Sequence, residues 1–165
     1  MSDSLGAAVE GGAGGIDASI EVGSASILVV DDHEQNLELL QAYLDEIGCE
    51  VRTARDGLEA LAEIHAKMPD LILLDVMMPR MSGFQLCTKL KGDPATRDIP
   101  IVMVTALSEV GDVERAVESG ADDFLTKPLH KVELLTRARS LLRYRLLKKR
   151  YEAALDQVKK LTRGE

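Results

Sequence analysis

Five short apolar runs, each followed by an amphipathic stretch, constrain the fold of this chain more than any other feature. The runs are "SILVV" (26–30), "CEVRTA" (49–54), "LILLD" (71–75), "IPIVMVT" (99–105) and "DFLT" (123–126). Helical periodicity fills the intervals, over roughly 35–47, 57–67, 83–91 and 110–119, and a long last segment begins near Lys131. Gly48, Gly92 and Gly120 suit helix C-termini, while Asp56 and Ser82 suit N-caps. Parallel strands need right-handed crossovers between them, so strict alternation predicts a mostly parallel sheet with helices on both faces. The third run, "LILL", is apolar at every position, as a central strand covered on both sides should be.

The chain has 165 residues, enough for one ordinary domain with appendages. With 45% hydrophobic and 29% charged residues it fits neither a wholly disordered nor a membrane-spanning class, and no apolar run approaches bilayer length. The first 26 residues contain no Lys or Arg and no apolar core of a signal peptide, which sets a cytoplasmic expectation. Residues 1–24 are rich in glycine and small side chains and read as a flexible tail. Cys49 and Cys87 lie far apart with no Cys/His spacing, so two reduced cysteines are expected, with no disulfide framework or zinc site. The net charge of −8 is unevenly spread. From Leu129 onward eleven Lys and Arg face four Asp and Glu, giving +7 and leaving −15 on residues 1–128.

In an open α/β sheet, chemistry collects at the carboxyl ends of strands. Here the first run ends in Asp31 and Asp32, the third in Asp75, the fourth in Thr105, and the fifth leads into Lys127 and Pro128. Singly, each is an ordinary strand end. Together they would set three carboxylates, a hydroxyl and an ammonium at one edge. Two bare carboxylates about 4 Å apart repel by about 4 kcal/mol at an effective dielectric near 20, so such a cluster calls for a cation. Oxygen donors favour Mg²⁺ or Mn²⁺, and Mg²⁺ commonly binds one or two carboxylates together with a phosphate oxygen.

The segments "ILVVDDHEQN", "LILLDVMMPRMSG", "VMVTA" and "GADDFLTKP" resemble, in order and spacing, the receiver domain of bacterial two-component response regulators, over about residues 25–145. The resemblance implies an α/β, flavodoxin-like, doubly wound five-stranded parallel sheet in the order 2-1-3-4-5, with five helices, the last extended. It implies that Asp75 accepts a phosphoryl group from a sensor histidine kinase or a histidine phosphotransfer protein, in a Mg²⁺- or Mn²⁺-dependent reaction. Asp32, the Met77 backbone carbonyl and Asp75 would hold the metal, with Asp31 contributing directly or through water. Thr105 and the Ala106 N–H would bind the arriving phosphoryl oxygens, and Lys127 would balance charge ahead of a cis bond to Pro128. Phe124 would be an aromatic switch. Met77 and Leu107, two residues beyond Asp75 and Thr105, are apolar where polar side chains would position an attacking water, so a slowly hydrolysing acyl phosphate is expected. "DPATRDIPIVMVTAL" and "SGADDFLTKP" look especially like receivers attached to cyclic-dinucleotide enzymes, although the GGDEF and HD-GYP motifs of those enzymes are absent. The expectation is a signalling domain without turnover of a separate substrate.

Helical periodicity continues past residue 145 through "YRLLKKRYEAALDQVKKL", making 146–165 a helical extension or linker. Tyr144, Leu147, Tyr151, Ala154, Val158 and Leu161 follow 3,4,3,4,3 spacing, a heptad stripe. A helix from Lys131 would be about 48 Å long at 1.5 Å per residue and would project beyond the domain, where it would dimerise or relay a signal. Neither nucleic-acid nor membrane binding is expected, since no DNA-reading helix-turn-helix follows. A phosphatase using an aspartate nucleophile is the competing class. It needs a second aspartate two residues after the first, and that position is Met77.

Overall fold

The computed structural model describes residues 20–106 and 110–164. Its five strands, β1 (Ser26–Val30), β2 (Glu50–Ala54), β3 (Leu71–Leu74), β4 (Ile101–Thr105) and β5 (Asp123–Thr126), form one sheet in the order β2-β1-β3-β4-β5. Every pairing is parallel. The helices are α1 (Glu34–Leu44), α2 (Gly57–Ala66), α3 (Gly83–Gly92), α4 (Val110–Glu118) and α5 (Lys131–Arg163). The alternation of runs predicts this parallel sheet with helices on both faces, and its strand order is the flavodoxin-like doubly wound one that the receiver resemblance implies.

The sheet separates two apolar layers, and strand alternation decides which side chain enters which. Ile27 and Val29 of β1, Leu71 and Leu73 of β3, and Val102 and Val104 of β4 pack with Leu37, Leu40, Leu44, Leu134, Ala138 and Leu142 from α1 and α5. Leu28, Val30, Ile72, Leu74, Ile101 and Met103 face the other way, onto Ala60, Ile64, Phe84, Leu86, Leu90 and Ala116 from α2, α3 and α4. All four residues of "LILL" are therefore buried, two on each face. Each contributes roughly 1.5–3 kcal/mol of apolar burial, and together they hold the end of β3 rigidly in the centre of the sheet.

Local signals set the helix ends. The Asp56 side chain accepts the Glu59 N–H at 2.8 Å, and Ser82 and Gln85 form a reciprocal capping box at the start of α3. Gly48 and Gly120 take left-handed φ values of 78° and 88° after α1 and α4. Gly92 is instead the last residue of α3, and Asp93 caps it in an extended conformation. Strand β4 starts at Ile101, two residues later than the sequence reading, because Pro100 has no N–H to give a ladder. Residues 22–24, read as part of a tail, form a 3₁₀ turn whose Val22 packs on the α1/α5 layer. Residues 1–19 of that expected tail lie outside the described residues.

Helix α5 is one unbroken segment of 33 residues, about 50 Å long. Its buried positions end at Leu142. Beyond them Lys148 pairs with Asp98 at 3.0 Å, and Lys149 pairs with Asp70 at 2.7 Å. Asp70 is itself buried and accepts the Ser26 N–H at the start of β1. The last turns carry Tyr151, Val158 and Leu161 exposed. No helix among the described residues is long and apolar enough to cross a membrane.

Candidate functional site

The sheet ladder continues one residue past β1 and β3 and thereby aims two carboxylates at the same point. The Asp31 N–H donates to the Ala54 carbonyl at 3.1 Å, and the Asp75 N–H donates to the Val30 carbonyl at 2.9 Å. Both residues are nearly inaccessible, at 1% and 4% exposure. Asp31, Asp32, His33 and Asp75 each offer a ligand atom, all within 4.8 Å of one another.

Lys127 spans the pair. Its Nζ lies 3.0 Å from Asp31 Oδ2 and 3.5 Å from Asp75 Oδ2. The Lys127 N–H donates to the Thr105 carbonyl at 2.8 Å and so holds the backbone there; the Lys127–Pro128 peptide that follows is cis. Asp31 is further held by Asn36, whose amide donates to Oδ2 at 3.2 Å, and by the His33 N–H, which donates to Oδ1 at 2.9 Å. Asp75 has weaker support, from the Met77 N–H to Oδ1 at 3.3 Å. Burial, and then the charge of Asp31, raise the Asp75 pKa above its ordinary value against the opposing pull of Lys127 and the Met77 N–H.

Tight backbone packing underlies the loop after β3. The Gly83 N–H donates to the Val76 carbonyl at 3.0 Å, and a Cβ at Gly83 would meet the Asp75 carbonyl oxygen at 2.2 Å. Only glycine fits there, so the start of α3 presses directly on the backbone that carries Asp75. Arg80, at φ 68°, completes the turn in a conformation uncommon for a residue with a side chain.

Thr105 ends β4 fully buried, beside Thr126 in register, and Ala106 follows it as an exposed bend. Met77 is 61% exposed at the rim. Phe124 on β5 is half-buried against the α2/α3/α4 layer. Leu107 lies outside the described residues. The site thus gathers Asp31, Asp32, Asp75 and Lys127 in direct contact range, with Thr105 tied to Lys127 through the backbone.

Two contributors, His33 and Asn36, escaped the sequence reading. His33 Nδ1 lies 2.9 Å from Asp32 Oδ1 and 3.4 Å from Asp31 Oδ1. Its position directly after the aspartate pair was the available signal. Asn36, one turn into α1, carried none. A pocket of about 510 Å³ opens beside the cluster, lined by Asp32, His33, Met77, Phe84 and Arg115 among others. The Arg115 guanidinium stacks 4.4 Å over the Phe84 ring.

Comparison with known proteins decides the family. The pattern of the response regulator receiver domain matches residues 27–139. The chain belongs to the receiver domain family. Its receiver is 56% identical over 124 residues to the response regulator PleD of Caulobacter vibrioides, a match covering 75% of this chain and 27% of PleD. It is 43% identical over 117 residues to RpaA, a DNA-binding dual master transcriptional regulator of Synechocystis, covering 71% of this chain and 48% of that protein. The chain thus spans between about a quarter and a half of these relatives' lengths. Among solved structures, the signal receiver domain of a signal transduction histidine kinase from Syntrophus aciditrophicus superposes with a TM-score of 0.68 at 43% identity, covering 72% of this chain and 90% of that one. The receiver fold and membership of the response regulator receiver family are therefore established for this chain.

Proposed function

We propose that this receiver accepts a phosphoryl group on Asp75 from the phosphohistidine of a sensor kinase or histidine phosphotransfer protein. The observation that carries the reading is the buried Asp75 carboxylate, held between Lys127 and Asp31 at the centre of the sheet's carboxyl edge. In the transfer, a carboxylate oxygen of Asp75 forms the new O–P bond as the N–P bond to histidine breaks. The histidine keeps the electron pair and takes up a proton.

Phosphoryl transfer passes through a loose transition state, so alignment and charge balance supply most of the catalysis. Lys127 supplies a fixed positive charge at the attacking oxygen. Thr105 and the Ala106 N–H are assigned to the phosphoryl oxygens, and Phe124 to the switch that follows. The site suits a hard divalent cation, Mg²⁺ or Mn²⁺. Asp32 Oδ1 is buried and accepts no aligned hydrogen bond among the described residues, so an oxygen lone pair is left for a metal. Asp32, Asp75 and the Met77 carbonyl would hold the cation, with Asp31 beside them. When bound, it would neutralise the carboxylates and draw in a phosphoryl oxygen.

The domain is assigned to residues 25–145, and 146–165 to a helical extension that pairs with a second copy through the stripe from Tyr144 to Leu161. That stripe is exposed along its length, which supports the assignment. The reading places the protein in the cytoplasm, without nucleic-acid or membrane binding, and without turnover of a separate substrate by the receiver itself. Incubation with acetyl phosphate and Mg²⁺, followed by intact mass measurement, tests it. One phosphoryl adduct per chain is expected, suppressed by a chelator. Steady hydrolysis of a small phosphoester with no stable adduct would favour a phosphatase instead.

A further inference from the structure

We infer that His33 is a direct ligand of the cation in this receiver and tilts the site from Mg²⁺ toward Mn²⁺ and other nitrogen-accepting divalent ions. The inference rests on the assignment of a divalent cation to the acidic cluster, and it concerns what the residue after the aspartate pair adds.

Geometry is the first argument. An octahedral cation with ligands at about 2.1 Å separates neighbouring ligand atoms by about 3.0 Å. His33 Nδ1 and Asp32 Oδ1 are 2.9 Å apart, and His33 Nδ1 and Asp31 Oδ1 are 3.4 Å apart. These are spacings of adjacent ligands around one centre. Orientation is the second. At 2.9 Å a ring N–H aimed at a carboxylate would be a strong hydrogen bond, yet Asp32 Oδ1 has no aligned donor. The two atoms lie side by side without pointing at one another, as two ligands of a shared ion do.

The third argument is how the ring is placed. The His33 N–H donates to Asp31 Oδ1 at 2.9 Å, and the His33 carbonyl accepts the N–H groups of Asn36 and Leu37 in the first turn of α1. The backbone is thus fixed from both sides while the ring stays exposed, so Nδ1 reaches the cluster at no cost in burial. Imidazole binds first-row transition ions far better than it binds Mg²⁺, which prefers oxygen and keeps its waters.

Mn²⁺ titration of wild type, His33→Ala, His33→Asn and Asp32→Asn, followed by electron paramagnetic resonance, tests the inference. Wild type should bind one Mn²⁺ and show the hyperfine coupling of a directly bound ring nitrogen. That coupling should vanish in both His33 variants. The loss of even an outer partner of a metal ligand costs 10–100-fold in affinity, so His33→Ala should bind Mn²⁺ about tenfold or more weakly, with Mg²⁺ affinity changed less than about threefold. Mn²⁺ binding without nitrogen coupling, equal in wild type and His33→Ala but lost in Asp32→Asn, would overturn the role of His33 and leave the cation site standing. Absence of any Mn²⁺ binding would overturn both.

Discussion

At the scale of single residues the central fact is that Asp75 sits where its charge is least welcome. Burial and Asp31 raise its pKa, so the folded protein holds that proton to a higher pH than the unfolded chain does. The sign follows: this contribution to stability is present in acid and is lost as pH rises through the folded pKa. Asp75→Asn should therefore raise the melting temperature at pH 7 without added cation. The gain should shrink as the pH is lowered, which paired thermal melts across pH would show. Lys127 opposes the same repulsion from 3.0 and 3.5 Å, so Lys127→Met should lower the melting temperature and slow adduct formation. Met77 is mostly exposed, so changing it should cost little stability. Met77→Asn combined with Leu107→Glu should shorten the lifetime of the acyl phosphate, followed as decay of the adduct mass. An unchanged lifetime would remove the apolar rim as its cause. The sequence made the aspartates and the lysine legible because each ends an apolar run. Asn36 was not legible as a contributor, since a polar residue in the first turn of a helix follows no pattern, and the one signal for His33, its place directly after the aspartate pair, does not distinguish a ligand from a solvated turn.

At the scale of elements, placement of the site depends on how α3 meets β3. Gly83 is the contact point, and a methyl group there would collide with the Asp75 backbone. Gly83→Ala should destabilise by about 1–3 kcal/mol or more, as overpacking does, and impair adduct formation even though no site side chain changes. Denaturant unfolding and intact mass together check this. Helix α5 offers the opposite contrast. Leu142 is fully buried, so Leu142→Ala should cost about 2–5 kcal/mol, whereas Leu161→Ala should stay within about 0.5 kcal/mol for the monomer. Periodicity located both helices. It set the start of β4 two residues early because an apolar run does not show where a proline withholds its N–H. It also missed that Val22 is drawn onto the core, since a lone valine in a glycine-rich stretch has no period.

At the scale of the whole molecule, an acidic body ends in a long basic helix whose start is packed into the domain and whose far half is exposed. The Lys148–Asp98 and Lys149–Asp70 pairs extend the helix's attachment beyond Leu142 to the segments that lead into β4 and β3. The exposed Lys148–Asp98 pair contributes at most about 1 kcal/mol, whereas Lys149 compensates a buried carboxylate. If the heptad stripe joins two copies, Tyr151→Lys with Val158→Lys should reduce the mass measured by light scattering to that of a monomer while leaving adduct formation intact. The proposed function rests on one nucleophile at one strand end. Borohydride reduction of the acetyl phosphate-treated protein, with peptide mass mapping, locates an acyl phosphate by converting the modified aspartate to homoserine. The account predicts homoserine at position 75 alone, and homoserine at position 31 or 32, or at none, would contradict it.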